Sequence, residues 1–217
     1  MSSSFSFVSS PGTHKSCGCI ILFPPPCLSL ISSRSDASGR LIACDFSLRD
    51  VIFRVVCVYA PNCNLDRDSF LDGISEWMEP VVPTILAGYF NTVFDCTLDR
   101  QGSVTSDASR ESSVALARLF GDACCLDIWR YLHSSSRGFT WSRADGLVSS
   151  CKDLFPCPDV WVASASSCDV VPCPFSDHCS LGFSVDPLSV TRGLVCGNLT
   201  PPSYKMLIID STLKTFE

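Results

Sequence analysis

Residues 41–62 read LIACDFSLRDVIFRVVCVYAPN and carry the most regular strand pattern of the chain. Leu41–Leu48 and residues 52–59 are apolar runs rich in β-branched side chains, which favour the pleated surface of a sheet. The dipeptide at 49–50 lies between them, at the position of a hairpin turn. The second run ends at Pro61, because proline cannot donate a hydrogen bond to a strand ladder. This stretch therefore predicts an antiparallel hairpin.

Further along the chain the hydrophobic period alternates between helix and strand. Residues 66–78 place their apolar side chains on one helical face, and a second helix is predicted at about 109–125. Short buried strands are predicted at 19–23, 84–87, 138–142, 151–155, 160–163, 169–171 and 179–185. Strands and helices that alternate irregularly, with hairpin-like pairs among them, favour a mixed-sheet α/β or α+β layered fold over a parallel βαβ array.

The composition is that of a globular domain with an acidic balance. The chain has 217 residues, 46% of them apolar and 18% charged, and its formal net charge is -6. These values exclude a disordered chain and a basic, histone-like binder of phosphates. The length predicts one domain. We expect a disordered, Ser-rich lead-in at 1–15, the folded domain at 16–186 and a tail or linker at 187–217.

The cysteines and the apolar runs point to an intracellular protein. None of the 15 Cys belongs to a CxxC pair, and most lie in apolar runs, so they are expected to be reduced thiols that pack as small hydrophobic residues. No signal peptide or transmembrane segment is apparent, since the most apolar stretch is broken by prolines at 24–26. We expect a nuclear or cytoplasmic location and no contact with a membrane.

Four short segments place polar residues at the ends of apolar strands, where a layered fold gathers its site. They are VYAPN at 58–62, LAGYFNT at 86–92, SCKDL at 150–154 and SDHC at 176–179. Each also has a structural interpretation. Tyr59 can be a half-buried aromatic residue, Asn62 and Asn91 turn formers, Asp153 an exposed edge residue and His178 a strand cap.

Taken together, in this order and spacing, the four segments resemble the endonuclease/exonuclease/phosphatase superfamily. The resemblance is greatest to the apurinic-like endonuclease domain of LINE-type non-LTR retrotransposons, and it covers about residues 16–186. It implies a layered α/β sandwich of two mixed β-sheets flanked by helices, here without its N-terminal strand region. It also implies metal-dependent nicking of DNA, with Mg²⁺ as the cofactor and DNA as the partner.

The resemblance assigns a role to each polar residue of the four segments. His178 contacts the phosphate, Asp153 pairs with that imidazole, Asp177 lies next to the metal, Asn91 positions the phosphate or the attacking water, Tyr59 contacts the phosphate and Asn62 shapes the same loop. In such a site the cation stabilises the leaving oxygen, and a carboxylate deprotonates or orients the water.

The chain departs from the family pattern at three positions. The family has Gly-Asp-Phe-Asn where this chain has GYFN at 88–91, so Tyr89 replaces the water-activating Asp. A phenol with its usual pKa near 10 cannot act as a base at neutral pH. Loss of a general base costs about 10²–10⁴-fold in rate. The metal-binding Glu of the family has no counterpart, and Lys152 replaces an apolar strand residue.

A basic and aromatic stretch at 128–144 predicts contact with nucleic acid. Arg130, Arg137 and Arg143 alternate there with aromatic residues and no acid, and such a mixture can meet phosphates and stack on bases. The alternative is a partly buried aromatic strand with a solvated basic rim. The functional hypotheses are therefore an endonuclease domain with weak or absent activity, a catalytically dead nucleic-acid-binding remnant, or an unstable translated fragment.

Overall fold

The hairpin of residues 41–62 lies within a five-stranded sheet of the computed structural model, which describes residues 5–12, 18–25, 28–79, 81–102, 107–174, 176–185 and 204–207. The strands are β1 (Ser6–Pro11), β2 (Gly18–Phe23), β3 (Ser29–Ser35), β4 (Leu41–Leu48), β5 (Val51–Tyr59), β6 (Thr84–Tyr89), β7 (Arg100–Gln101), β8 (Cys125–Asp127), β9 (Trp141–Ser142), β10 (Ser149–Ser150), β11 (Asp153–Leu154), β12 (Pro156–Pro158), β13 (Ser167–Pro172), β14 (Cys179–Val185) and β15 (Tyr204–Leu207). The helices are α1 (Asn64–Gly73), α2 (Asp107–Asp122), α3 (Ile128–Leu132) and α4 (Asp159–Val162), with a 3₁₀ helix at Ile74–Trp77.

The five-stranded sheet has the order β11-β6-β5-β4-β3. β4 and β5 form the predicted antiparallel hairpin, with Leu41 opposite Val58, and β6 runs parallel to β5. β11 is antiparallel to β6. Tyr59 is opposite Tyr89, and Tyr89 is opposite Asp153. The pairing register therefore places three of the singled-out residues in one row at the end of the sheet.

The two faces of this sheet bury two separate cores. Val56 and its neighbours pack against α1, the 3₁₀ helix and α2 through Leu71, Ile74 and Leu116. Val55 faces the other way, towards a core that contains side chains of β2, α4 and β14. Each fully buried valine stabilises the fold by about 1.5–3 kcal/mol. Because successive side chains of β5 point to opposite faces, the sheet has helices on one side and further strands on the other.

The strands on the second side belong to two antiparallel groups. β1 pairs with β2, and β14 lies between β13 and β15. The predicted architecture, a layered α/β sandwich with mixed strands flanked by helices, is confirmed. Among the described residues, none of the helices has the length and hydropathy that crossing a membrane requires.

Three local predictions need correction. The disordered lead-in at 1–15 is wrong for Ser6–Pro11, which forms β1 because Val8 packs against the core while alternate residues face outward. Three residues of the strand predicted at 160–163 belong to α4, since a short apolar run does not distinguish a buried strand from a buried helix. Within the predicted tail, Tyr204–Leu207 forms β15.

Other residues of the lead-in and the tail lie outside the described part of the chain. These are residues 1–4 and 13–15 of the lead-in, and 187–203 and 208–217 of the tail. The boundaries at 15/16 and 186/187 therefore stay predictions.

Candidate active site

A buried histidine–carboxylate pair lies at the end of the five-stranded sheet. Nδ1 of His178 is 2.9 Å from Oδ2 of Asp153, and both residues are less than a tenth exposed. Asp153 comes from β11, and His178 directly precedes β14. A carboxylate at Nδ1 fixes the orientation of an imidazole and directs Nε2 away from the pair. The structure thus brings together the two residues predicted to pair, and Asp153 is not an exposed edge residue.

Thr140 holds the two strands of this pair in place. Its Oγ1 accepts hydrogen bonds of 3.0 Å from the backbone N–H groups of Lys152 and Asp153. Its backbone oxygen accepts a 2.7 Å hydrogen bond from Cys179 N–H. Thr140 is fully buried. No local pattern singles out this residue, because its contacts join segments that are distant along the chain.

One oxygen of the pair has no hydrogen-bond partner within the described part of the chain. Oδ1 of Asp153 is buried and accepts no hydrogen bond from any of the residues described. A buried polar atom without a hydrogen bond costs about 1–3 kcal/mol. The site therefore contains an acceptor oxygen that a donor from outside the described residues could satisfy.

Tyr89 fills the space beside the histidine. Its ring lies edge-on to that of His178 with 4.9 Å between centroids, and 5.6 Å from the ring of Tyr59. Its hydroxyl donates a 2.7 Å hydrogen bond to Oδ1 of Asn91, whose amide donates one of 3.0 Å to Oδ1 of Asn62. The predicted residues Tyr59, Asn62 and Asn91 thus meet here, joined by the residue that replaces the expected Asp.

Asn91 has the backbone conformation that its residue type tolerates. Its φ is 55°, in the left-handed region, which Asn adopts more readily than most residues. Asn91 is therefore a turn residue and, at the same time, a member of the cluster around Tyr89. Its side chain is buried, and its two amide atoms are used by Tyr89 and Asn62.

Asp177 and Lys152 meet at Trp141. The indole N–H of Trp141 donates a 2.9 Å hydrogen bond to Oδ2 of Asp177, and Nζ of Lys152 lies 4.4 Å from the indole ring centroid. Burial lowers the pKa of Lys152, and the nearby guanidinium groups of Arg100 and Arg67 lower it further. The carboxylates of Asp153 and Asp177 raise the pKa of Lys152 and so oppose this shift.

Arg67 is a second basic residue near the site that sequence reasoning missed. It is buried on α1, which lowers its pKa, and it donates to the backbone oxygen of Asn62 at 3.1 Å. It also donates to Ser112 Oγ on α2 and to Asn64 Oδ1. Arg67 therefore anchors the Asn62 loop to two helices. A single Arg in an amphipathic helix gives no sequence signal for that role.

The three arginines of the 128–144 stretch have different surroundings. Arg130 forms an ion pair with Asp99 and donates to the backbone oxygen of Ser136, so its guanidinium is used inside the protein. Arg137 is exposed, and exposed Arg143 pairs with Asp145 at 2.8 Å. We therefore do not place Arg130 among the groups that meet a ligand, because its position on α3 is structural.

The described residues do not fit a magnesium site. Among them there is no group of three or more His, Cys, Asp or Glu side chains that could hold a metal ion. Mg²⁺ requires near-octahedral oxygen ligands, usually including one or two carboxylates. Here Asp153 is hydrogen-bonded to His178, Asp177 to Trp141, and Lys152 adds a positive charge.

Comparison with solved structures reveals the fold family. The crystal structure of the AP endonuclease LMAP from Leishmania major matches with a TM-score of 0.64 and 14% identity, covering 82% of this chain and 69% of that one. The chain has the fold of the AP endonucleases. This AP endonuclease fold also includes the endonuclease domain of TRAS1, a telomere-specific non-LTR retrotransposon, with a TM-score of 0.57, 16% identity and coverage of 82% and 80%.

One further solved structure shares this fold, and one sequence relative is a transposon protein. A 3′ phosphatase, NExo, from Neisseria, solved with a product DNA hairpin, matches with a TM-score of 0.61, 16% identity and coverage of 84% and 79%. The Transposon TX1 uncharacterized 149 kDa protein of Xenopus laevis is 29% identical over 183 residues, which is 81% of this chain. The chain spans 14% of that relative's length. No family model matches the chain.

These findings confirm the resemblance that the four segments indicated. The fold is shared with an AP endonuclease, a 3′ phosphatase and a retrotransposon endonuclease domain, and the sequence relative is a transposon protein. The solved structures show a shared fold, and the sequence similarity links the chain to a transposon protein.

Proposed function

We propose that the chain is a retrotransposon endonuclease-type domain that binds DNA at the His178–Asp153 site and nicks it weakly or not at all. One observation carries the proposal. Tyr89 occupies the position of the expected general base, and its hydroxyl is already hydrogen-bonded to Asn91 at 2.7 Å.

The half of the site that contacts the phosphate supports DNA binding. A His oriented by a carboxylate can donate a hydrogen bond from Nε2 to a phosphoryl oxygen, where negative charge develops during hydrolysis. Tyr59 and Asn91 lie beside Tyr89 in the same cluster and offer further polar atoms. The solved Neisseria neighbour contains a DNA hairpin, and we propose the same class of ligand for this chain. Arg137 and Arg143, both exposed, are candidates for contact with the flanking phosphates.

The half of the site that activates water supports weak or absent cleavage. Hydrolysis of a phosphodiester needs an acceptor for the proton of the attacking water. Tyr89 offers a neutral hydroxyl that donates its hydrogen to Asn91, and its ring occupies the space next to His178. Asp177 remains as the predicted carboxylate next to a metal, but its Oδ2 accepts from Trp141. We propose that Mg²⁺ contributes little to the native chain, and an intracellular location stays a prediction.

Nicking of supercoiled plasmid in the presence of Mg²⁺ tests the proposal. We expect the native chain to leave the plasmid almost intact. Tyr89→Asp should nick at least about 10²-fold faster, because it restores a carboxylate base beside Asn91. Tyr89→Phe is the matched control, since it empties the hydroxyl position without adding a base, and it should stay as inactive as the native chain.

Two outcomes decide between the hypotheses. Native nicking that Tyr89→Asp fails to increase would contradict the proposal, because the site would work without a carboxylate at position 89. DNA binding by a chain that does not nick would identify the catalytically dead nucleic-acid-binding form of the domain.

A further inference from the structure

Charged side chains of both signs surround Lys152 at the candidate active site. Its ammonium lies over the Trp141 ring, and its charge is influenced by Arg100, Arg67, Asp153 and Asp177. Arg67 is buried and used by the Asn62 loop, whereas Lys152 is half-buried. Lys152 and Arg100 are therefore the half-buried cations of this group, and Lys152 is the one that directly precedes Asp153 of the pair.

The same site is poor in the ligands of a divalent cation. The expected carboxylate at position 89 is a neutral phenol, and the described residues contain no metal-ligating group of three. A phosphodiester anion that leaves water needs an opposite charge nearby, because an unpaired buried charge is costly. Here the ammonium of Lys152 is available to provide that charge.

We propose that Lys152 supplies the positive charge that holds a DNA phosphate at this site, so that DNA binds without a divalent cation. The inference rests on the proposed function and adds a phosphate-binding residue to it. Lysine is suited to this role, because its compact ammonium binds phosphate as a point charge and its stem can lie along apolar surface.

The contacts of Trp141 support the orientation of Lys152. The indole is held on one side by its hydrogen bond to Asp177 and by the bridge of its backbone to His178. Its ring face carries the ammonium of Lys152 at 4.4 Å, which is cation–π distance. The backbone of Lys152 is fixed by Thr140 Oγ1 and by Phe90 N–H. The backbone and the ammonium of Lys152 are thus held by Thr140 and Trp141, which also contact Asp153 and His178.

The test measures binding of a short fluorescent DNA duplex to the full chain by anisotropy, in EDTA and in Mg²⁺. We expect binding in EDTA, with less than about twofold change on adding Mg²⁺ at constant ionic strength. Lys152→Met should weaken binding about tenfold, and Lys152→Arg should restore most of it, because the charge returns. The dependence of log K on log salt should become shallower by about one for Lys152→Met, as for a lost phosphate contact.

Arg49→Met is the matched control. It removes one exposed positive charge from the β4–β5 turn, at the opposite end of β5 from Tyr59, and it should leave DNA affinity unchanged. Lys152→Met should fold as well as the native chain, since methionine removes a half-buried charge, and thermal unfolding by circular dichroism checks this.

Each remaining outcome overturns a specific statement. Binding that appears only with Mg²⁺, or Lys152→Met binding as tightly as Arg49→Met, would overturn the role of Lys152 while leaving DNA binding in place. Absence of binding under both conditions would overturn the proposed DNA-binding function itself.

Discussion

The two halves of the candidate active site use the same end of one sheet but differ in chemistry. In one half, Asp153 and His178 keep a 2.9 Å pair that Thr140 holds in place. In the other half, Tyr89 joins Asn91 through a 2.7 Å hydrogen bond. Both halves are buried and held by short polar contacts. An aromatic residue thus occupies the position where the resemblance implies a carboxylate, while the pair keeps its hydrogen bond.

The physical reason lies in how each position is constrained. The residues of the pair come from segments that are distant along the chain and depend on the hydrogen bond between them. The hydroxyl of Tyr89 instead bonds to Asn91, two residues further along the chain, and its ring contacts the rings of Tyr59 and His178. Loss of a chemical group at position 89 therefore has a small effect on stability, whereas loss of a partner in the pair has a large one. Variants of the two halves, taken in order of decreasing expected effect, test that contrast.

The largest effect on stability is expected for His178→Ala. It leaves the Asp153 carboxylate buried and unpaired, which should lower the free energy of unfolding by about 3–5 kcal/mol. Urea denaturation followed by tryptophan fluorescence measures this. The neighbouring Asp177→Ala, which loses one exposed hydrogen bond to Trp141, should cost at most about 1 kcal/mol. Equal losses for the two variants would contradict the buried pair.

Gly88→Ala should have the next largest effect, one residue before the altered position. The φ of Gly88 is 133°, and a Cβ there would lie 2.2 Å from the backbone oxygen of Val58. We expect the free energy of unfolding to fall by about 2–4 kcal/mol. The added Cβ would clash with β5, and alanine at this φ would also be strained. The control is Gly121→Ala on α2, where a Cβ meets nothing within 4 Å. It should stabilise the chain by about 0.5–1 kcal/mol.

Another buried carboxylate, that of Asp127, predicts a dependence of stability on pH. Burial, together with the charge of Asp99, raises the pKa of Asp127 from 3.8 to about 6. Its folded pKa exceeds its unfolded pKa, so the folded chain binds the proton more tightly, and this contribution to stability increases as pH falls from about 6 to about 4.

Asp127→Asn isolates that contribution. Asparagine preserves the helix cap of α3 but carries no charge. At pH 7 the variant should be more stable than the native chain by about 1–2 kcal/mol, and the advantage should shrink near pH 4. Chemical denaturation at the two pH values measures the difference. A pH-independent difference would show that Asp127 titrates normally.

Tyr89→Phe should have the smallest effect. It removes the hydroxyl that bonds to Asn91 and retains the ring contacts with Tyr59 and His178. We expect a loss of about 1 kcal/mol in the free energy of unfolding, measured by the same denaturation. A loss as large as that of His178→Ala would mean that position 89 supports the fold as strongly as the pair does.

The sequence predicted the central hairpin and the members of the site for a common reason. Leu41–Leu48 coincides with β4, because its apolar residues belong to a strand buried on both faces. Three of the four polar segments meet because each lies at the end of a strand, and the register of β5, β6 and β11 brings those ends together. The fourth segment, at 176–179, joins them through the bridge between Trp141 and His178. The local sequence pattern predicts a residue's place in the site when that pattern determines where the residue lies along its strand.

Long-range contacts explain what the sequence did not predict. Arg130 was expected at a ligand surface but pairs with Asp99, which precedes it by a whole helix. β3 was missed because all of its residues are exposed, so it has no apolar pattern. Thr140 and Arg67 act through partners in other segments. Such roles depend on tertiary neighbours, which no local pattern contains.

The site combines an intact histidine–carboxylate pair with Tyr89, which we propose interrupts the chemistry. The most direct test compares plasmid nicking by Tyr89→Asp with nicking by the double variant that also carries His178→Asn. The asparagine side chain of the double variant keeps an N–H near Asp153 but lacks the Nε2 of histidine. We expect Tyr89→Asp to nick, and the second change to lower this activity by about 10²-fold or more. Nicking that persists in the double variant, or no nicking by Tyr89→Asp, would contradict the claim.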